Sequence, residues 1–368
     1  MDLNTAETEQ IVRQVAGRLL LNGVEVPFVS CDIDSNAFYS ADTFAVQFAR
    51  DDMPPPYNTV QWWGAQTSIE VSISIGLIDS NIEDWRTLIV GTVDRLSVPM
   101  SRFEVNLDGR DYTSKFIDTK TNEKFANMTT SEVATLLANR RGLKPVVTAT
   151  ATQVGGITKW DHAHCTDERT EWDLLAYFAG LDGFQVYVMG DELHYEPALD
   201  PDTTDQYLIR WVEPGELAYP QCNTSDDLTF ERDLTLARGV TVQVLSYKDG
   251  KTYKATYPNN SAKGISPGQA VARRQVYEIK RNGLDQYAAQ QLAQKIHKQI
   301  TNHEMRMYGS LPGDNSLMPN TIVRVEGTGS GFDQLYYVDS VRRSLSFESG
   351  YTMSLSAKNH NPNSMVQP

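Results

Sequence analysis

Between Thr67 and Gly76 the chain alternates without a break, with Ile69, Val71, Ile73 and Ile75 on one side and Ser68, Glu70, Ser72 and Ser74 on the other. A period of two sustained this long describes a strand with one buried and one wet face, and it is incompatible with the period of an amphipathic helix. Phe44, Val46 and Phe48 repeat the pattern, and Leu88–Val93 follows it more weakly. Several short strands separated by turns predict a small barrel or sandwich over residues 1–110. Strands return after residue 205, over Tyr207–Val212, Asp227–Arg232, Val240–Leu245, Lys251–Tyr257, Thr321–Glu326, Leu335–Arg342 and Tyr351–Ala357. One long helix over 285–307 interrupts them. Its Ala288, Leu292, Ile296 and Ile300 draw an apolar stripe for packing across a sheet.

The middle of the chain changes period. Thr129 followed by Glu132 fits a capping box, in which hydroxyl and carboxylate each satisfy an orphan N–H, and Gly142 stops that helix. A second helix is expected after Thr170, with Trp172, Leu175, Ala176 and Ala179 turned inward, and then a hairpin about Gly190-Asp191. The layout is therefore mainly β with an α+β insert. A β-barrel-like unit (1–110) and a second one (205–358, carrying helix 285–307) flank an α+β unit (111–204), and 359–368 forms a flexible tail.

A chain of 368 residues suits two to four domains. No apolar run approaches the ~20 residues of a membrane helix, and the opening MDLNTAETEQIVRQ lacks the apolar core of a secretory signal. Neither membrane insertion nor export by that route is expected. Cys31, Cys165 and Cys222 lie far apart and suit reduced thiols. The net charge of −14 argues against a duplex-binding surface. The basic run Ala272–Arg281 is interrupted by Glu278 and reads as a solvated face.

Residues with chemistry to offer form no catalytic or metal constellation. His162, His164 and Cys165 carry metal-ligand atoms, but no second Cys/His pair stands at useful spacing, and a polar loop is the preferred reading. Gly327-Thr328-Gly329-Ser330-Gly331 lies between strands instead of before a helix, so it reads as a hairpin loop and not a phosphate cradle. The best partner contact is the Asp51–Gly64 loop. Pro54, Pro55 and Pro56 are stiff, while Tyr57, Trp62 and Trp63 offer anchoring area, with the adjacent indoles facing opposite ways on a strand-like segment.

Two stretches carry a family resemblance. The first is Gly109–Leu143 (GRDYTSKFIDTKTNEKFANMTTSEVATLLANRRGL), partly repeated in Thr170–Pro197. The second is the order Leu311-Pro312-Gly313-Asp314, Leu317-Met318-Pro319-Asn320, Val323-Arg324-Val325, Tyr336-Tyr337-Val338 and Ser349-Gly350-Tyr351-Thr352-Met353. Over Gly109–Lys358 this resembles the baseplate hub proteins of contractile-tailed phages, the late control D family, with Asn320 where the family usually has Gly. Residues 1–108 match by architecture alone. The resemblance implies a virion structural protein without catalysis or cofactor, assembled in the host cytoplasm into the tail baseplate. It implies a homotrimer whose two similar barrels per subunit form a pseudo-sixfold ring between the tail tube protein and the central spike protein. The tape-measure protein and baseplate wedge proteins are further implied partners, and DNA passes through the lumen without specific binding. A hub of a contractile secretion or injection device is one alternative. An acidic carbohydrate-active enzyme or binding module is the alternative from another class.

Overall fold

The computed structural model describes residues 14–359, apart from 38, 80–81, 122, 124, 126, 155–168, 201–202, 214–226, 238, 259–274, 302–303 and 320. The first unit comprises β1 (Gln14–Leu21), β2 (Val24–Glu25), β3 (Ser30–Asn36), β4 (Thr43–Ala49), the short helix α1 (Val60–Ala65), β5 (Glu70–Asp79), β6 (Ile82–Ser97) and β7 (Glu104–Asp111). The strands lie in the order β3-β4-β7-β6-β5-β1-β2. Their inward positions, among them Leu19, Ile33, Val46, Phe48, Ile73 and Leu107, meet in a single core. The alternation read from Thr67–Gly76 is this inward and outward alternation of β5. A Cβ on Gly17 of β1 would stand 2.4 Å from the Phe28 ring and 2.8 Å from Leu345. The free flank of β1 thus lies against the opposite end of the arc, and the sheet curls towards a barrel.

The middle unit holds α2 (Ser114–Ile117), β8 (Lys120–Thr121), β9 (Met128–Thr129), α3 (Thr130–Arg140), β10 (Lys144–Val147), β11 (Gln153–Val154), β12 (Arg169–Thr170), α4 (Glu171–Asp182), β13 (Phe184–Met189) and β14 (Glu192–Pro197). Both long helices start in capping boxes, Thr129 with Glu132 and Thr170 with Asp173, and α4 ends at Gly183 in the left-handed region, φ 73°. Both pack on the sheet β10-β14-β13 around Val133, Leu137, Leu175 and Phe178. Arg141, at the end of α3, grips Glu171 in the first turn of α4 through two 2.7 Å bonds, and Glu171 is only 1% exposed.

The rest of the chain builds β15 (Gln206–Arg210), β16 (Thr229–Arg232), α5 (Leu234–Ala237), β17 (Val240–Lys248), β18 (Lys251–Tyr257), β19 (Gln275–Lys280), α6 (Gln286–Thr301), β20 (Met305–Pro312), β21 (Ile322–Glu326), β22 (Leu335–Ser346) and β23 (Gly350–Asn359). Strands β15-β21-β22-β23-β20-β16 surround a core of Tyr207, Met307, Val325, Tyr336 and Leu355. The long helix differs from its expected place in two ways. It ends at Thr301, because Met305 and Met307 alternate as the buried side of β20. It also packs on its own sheet β18-β17-β19 instead of the barrel strands, placing Ala289, Ala293, Leu292 and Ile296 against Val242 and Val244. Asn359, placed in the expected tail, closes the barrel instead. It is fully buried, and its Oδ1 accepts the Met305 amide at 3.0 Å.

The two barrels are one continuous sheet. Ser30–Asn36 of β3 pairs antiparallel with Ser340–Ser346 of β22, while the start of β22 pairs with β21. Ranking each half's six main strands by chain position gives the same spatial order, 1-4-5-6-3-2, for β1-β5-β6-β7-β4-β3 and for β15-β21-β22-β23-β20-β16. One orientation differs: β1 is antiparallel to β5, whereas β15 is parallel to β21.

Candidate partner interface

The loop expected to anchor a partner is built around its own rings. Residues 60–65 form a helical turn instead of a strand, capped by the Thr59 hydroxyl accepting from the Trp62 amide. The helical pitch brings the two indoles edge to face at 4.6 Å. Trp63 is 1% exposed, and its Nε1 donates to the Tyr57 carbonyl at 2.7 Å. Tyr57 is buried and its hydroxyl donates to the Leu21 carbonyl at 3.4 Å. Tyr57 and Trp63 therefore belong to the barrel core, with half-buried Trp62 packed beside them. To solvent the loop shows Pro55, Pro56 and Val60 beside the polar Asp51, Asp52, Thr59 and Gln61, with Pro54 half-buried.

The equivalent loop of the second half, residues 313–321, turns inward and locks the joint between barrels. Gly313 is required there, because a Cβ would fall 2.1 Å from the Tyr351 ring. Asn315 is fully buried, donates to the Ile75 carbonyl of β5 at 2.9 Å and accepts from the Tyr351 hydroxyl at 2.8 Å. Arg343 of β22 is also fully buried, donating to the carbonyls of Asp314 (3.1 Å) and Leu317. The loop that begins at Gly313 is thus a plug holding the two halves together, through Asp314, Asn315 and Leu317.

Outward positions of the continuous sheet are polar. Along β22, β3, β4 and β7 they present Arg342, Asp32, Asp34, Thr43, Asp108 and Arg110 in neighbouring registers. The arginines there are tied to carboxylates: Arg110 to Asp94 at 2.6 Å and Asp118 at 3.0 Å, and Arg342 to Asp32 at 3.9 Å. The result is a polar wall whose arginines are paired with carboxylates.

A cavity of about 250 Å³ lies where the first barrel, the middle unit and the 313–321 loop meet, lined by Asp42, Asp111, Trp172, Tyr187, Glu196 and Met318 among others. Burial pushes the half-buried Asp42 up to about 7, opposed by the Asn36 amide. Burial, followed by the Asp42 charge, pushes Asp111 up to about 8, although it accepts the Thr113 hydroxyl and amide. Burial also drives the Cys31 thiol up to about 12, which leaves it unreactive.

Other chemical candidates resolve simply. The amides of Thr328 and Gly329 donate to Asp333 at 2.9 Å each, so the glycine-rich loop is satisfied by its own carboxylate as a β21–β22 hairpin. Among the described residues no group of three or more His, Cys, Asp or Glu is placed to hold a metal. His162, His164, Cys165, Cys222, His303 and Asn320 lie outside the described residues. No described helix is long and apolar enough to cross a membrane. The sequence reading missed Arg343 and Asn315. A lone Arg in a strand and a lone Asn in a loop carry no periodic signal, and only their burial reveals them.

No protein-family model matches this chain, and no curated protein does. Solved structures do. The tail protein of Neisseria meningitidis MC58 aligns over 96% of this chain and 99% of its own, at 18% identity and a TM-score of 0.67. The 43 kDa tail protein of prophage MuSo2 from Shewanella oneidensis aligns over 95% and 98%, at 14% identity and a TM-score of 0.61. The Escherichia coli c3393 protein is described as a component of the type VI secretion system, similar in structure to the T4 tail proteins gp27 and gp5. It aligns over 95% and 79%, at 10% identity and a TM-score of 0.54. Along nearly its whole length, the chain has the fold of these phage tail and tail-like proteins.

Proposed function

We propose that this chain is the structural hub of a phage tail baseplate. Three copies close into a ring that adapts a sixfold tail tube to a threefold central spike. The observation carrying this reading is the repeated strand order 1-4-5-6-3-2 in two halves joined into one sheet. Two wall segments of one topology per subunit supply six from three subunits, and closed rotational symmetry is the common outcome for homo-oligomers. The polar outer face suits the wall of a passage: its arginines are already paired with carboxylates, so passing phosphates meet little free positive charge. DNA or a tape-measure protein would traverse it without specific binding. The exposed Pro55, Pro56 and part of Trp62 remain a contact for tube, spike or wedge proteins, with the buried rings behind them as support.

Mass measurement in solution tests this, with three times 41.2 kDa expected, and averaged electron micrographs should show a ring of six similar densities. A stable monomer that cleaves or binds cell-wall glycan would refute it. The fold shared with a type VI secretion component favours, as a second reading, the same hub role in a contractile secretion device. Co-purification with a tube protein of either machine separates the two.

A further inference from the structure

Charge is distributed unevenly along this chain. Residues 233–301 hold 11 Lys and Arg against 4 Asp and Glu, a balance of +7 in a chain of −14, which leaves −21 for the rest. The first barrel, residues 14–111, has 6 Arg against 14 acidic residues, a balance of −8, and no lysine precedes Lys115. The described part of this stretch, with 7 Lys and Arg against 4 Asp and Glu, forms a structural unit. It is inserted between β16 and β20, and has its own core of Val242, Val244, Ala255, Ala289 and Ala293. A narrow neck closes it, where Asp233 donates its amide to the Glu304 carbonyl at 2.8 Å and Arg232 pairs with Glu304 at 2.9 Å.

Lys251 and Lys254 on β18 and Arg281 after β19 are exposed, and none forms an ion pair among the described residues. The ion pairs of Lys248 with Asp285 and Lys280 with Glu278 are long, at 3.9 and 3.8 Å. Lys295 donates to the Gly180 carbonyl in the last turn of α4, where helix carbonyls attract a cation. That contact ties the unit to the middle domain, while Lys251, Lys254 and Arg281 stay exposed.

We infer that this unit is the docking element by which one copy holds the acidic first barrel of the next. Concentrating like charges costs self-repulsion, which an opposite surface relieves. The same chain carries that surface, so contact between a basic insert and an acidic barrel is head-to-tail, the type of interface that closes into a ring. A nucleic acid is the less favoured occupant. On the sheet face away from α6, Tyr247 is the one exposed ring among the described residues, beside Thr252, Leu245, Lys254 and Glu278, too few rings for a base-stacking platform and with a carboxylate among them. The inference rests on the ring reading above.

Sedimentation of the full chain at about 0.15 M and about 1 M sodium chloride tests it, because the Debye length falls from about 8 Å to about 3 Å. Self-association should weaken at least about tenfold in high salt. The variant Lys251→Glu with Lys254→Glu should sediment as a monomer at the lower salt with an unchanged melting temperature. Arg281→Glu should act in the same direction, and it serves in place of the pair should that variant misfold. Zero-length carbodiimide crosslinking of mixed light and heavy protein should join Lys251 and Lys254 to carboxylates within residues 14–111 of the other copy. A trimer indifferent to both salt and charge reversal overturns the docking inference and leaves the ring reading standing. A wild type monomeric at both salts overturns both. Charge-reversed trimers that lose affinity only for a single-stranded oligonucleotide would assign the unit to nucleic acid and overturn the inference.

Discussion

At the scale of single residues, the rings of the Asp51–Gly64 loop illustrate how burial decides role. Trp63 lies inside the barrel with its N–H bonded to the Tyr57 carbonyl. Trp63→Ala is therefore expected to cost about 3–5 kcal/mol, read as a lower urea midpoint. An unchanged midpoint would place the ring outside the core. The Asp42–Asp111 pair makes a second prediction. Both carboxyls are raised from 3.8, to about 7 and about 8, by burial first. Folding therefore favours the protonated forms. Their stabilising contribution is complete below pH 3.8, declines as pH rises through 7 and 8, and is absent above. Asp111→Asn, which keeps an oxygen for the Thr113 hydroxyl, should flatten the fall in stability between pH 5 and pH 9, followed by denaturant titration at each pH. A variant with the wild-type slope would show that this carboxyl does not titrate there.

At the scale of elements, α3 and α4 were legible beforehand because their signals are local. A capping box spans four residues, and the structure places Thr129 with Glu132 as the sequence does. The bond between the helices was not legible, since Arg141 and Glu171 stand 30 positions apart. Thr129→Ala should cost about 1 kcal/mol, the usual value of an N-cap. Arg141→Ala should cost about 3–5 kcal/mol, because it removes both 2.7 Å hydrogen bonds of a buried carboxylate and leaves it only the Arg140 guanidinium at 3.6 Å. Equal losses from the two variants would mean that Glu171 finds water or another partner. The long helix shows the opposite lesson. Its apolar stripe correctly announced a sheet to pack on, but a stripe cannot say which sheet, and the nearby β17–β19 claimed it.

For the whole molecule, the joint between β3 and β22 governs whether two barrels behave as one body. Arg343→Ala would leave the Leu317 carbonyl without its Arg343 donor inside that joint, at about 1–3 kcal/mol, and the Asp314 carbonyl with only the Tyr351 hydroxyl at 3.5 Å. Calorimetry should then resolve separate transitions, where one shared unfolding step for the two halves is expected of the wild type. A single, merely lower transition would show that the sheet pairing alone couples them. Cleanly alternating strands such as β5, the Thr129 cap and the glycine-rich hairpin loop follow from the sequence alone, because each depends on periodicity or on groups a few residues apart. The matching strand order, the plug at 313–321 and the burial of Trp63 were decided by tertiary structure. Each brings together residues far apart in the chain, as when Ser30–Asn36 meets Ser340–Ser346, and such pairings depend on the packing of the complete core.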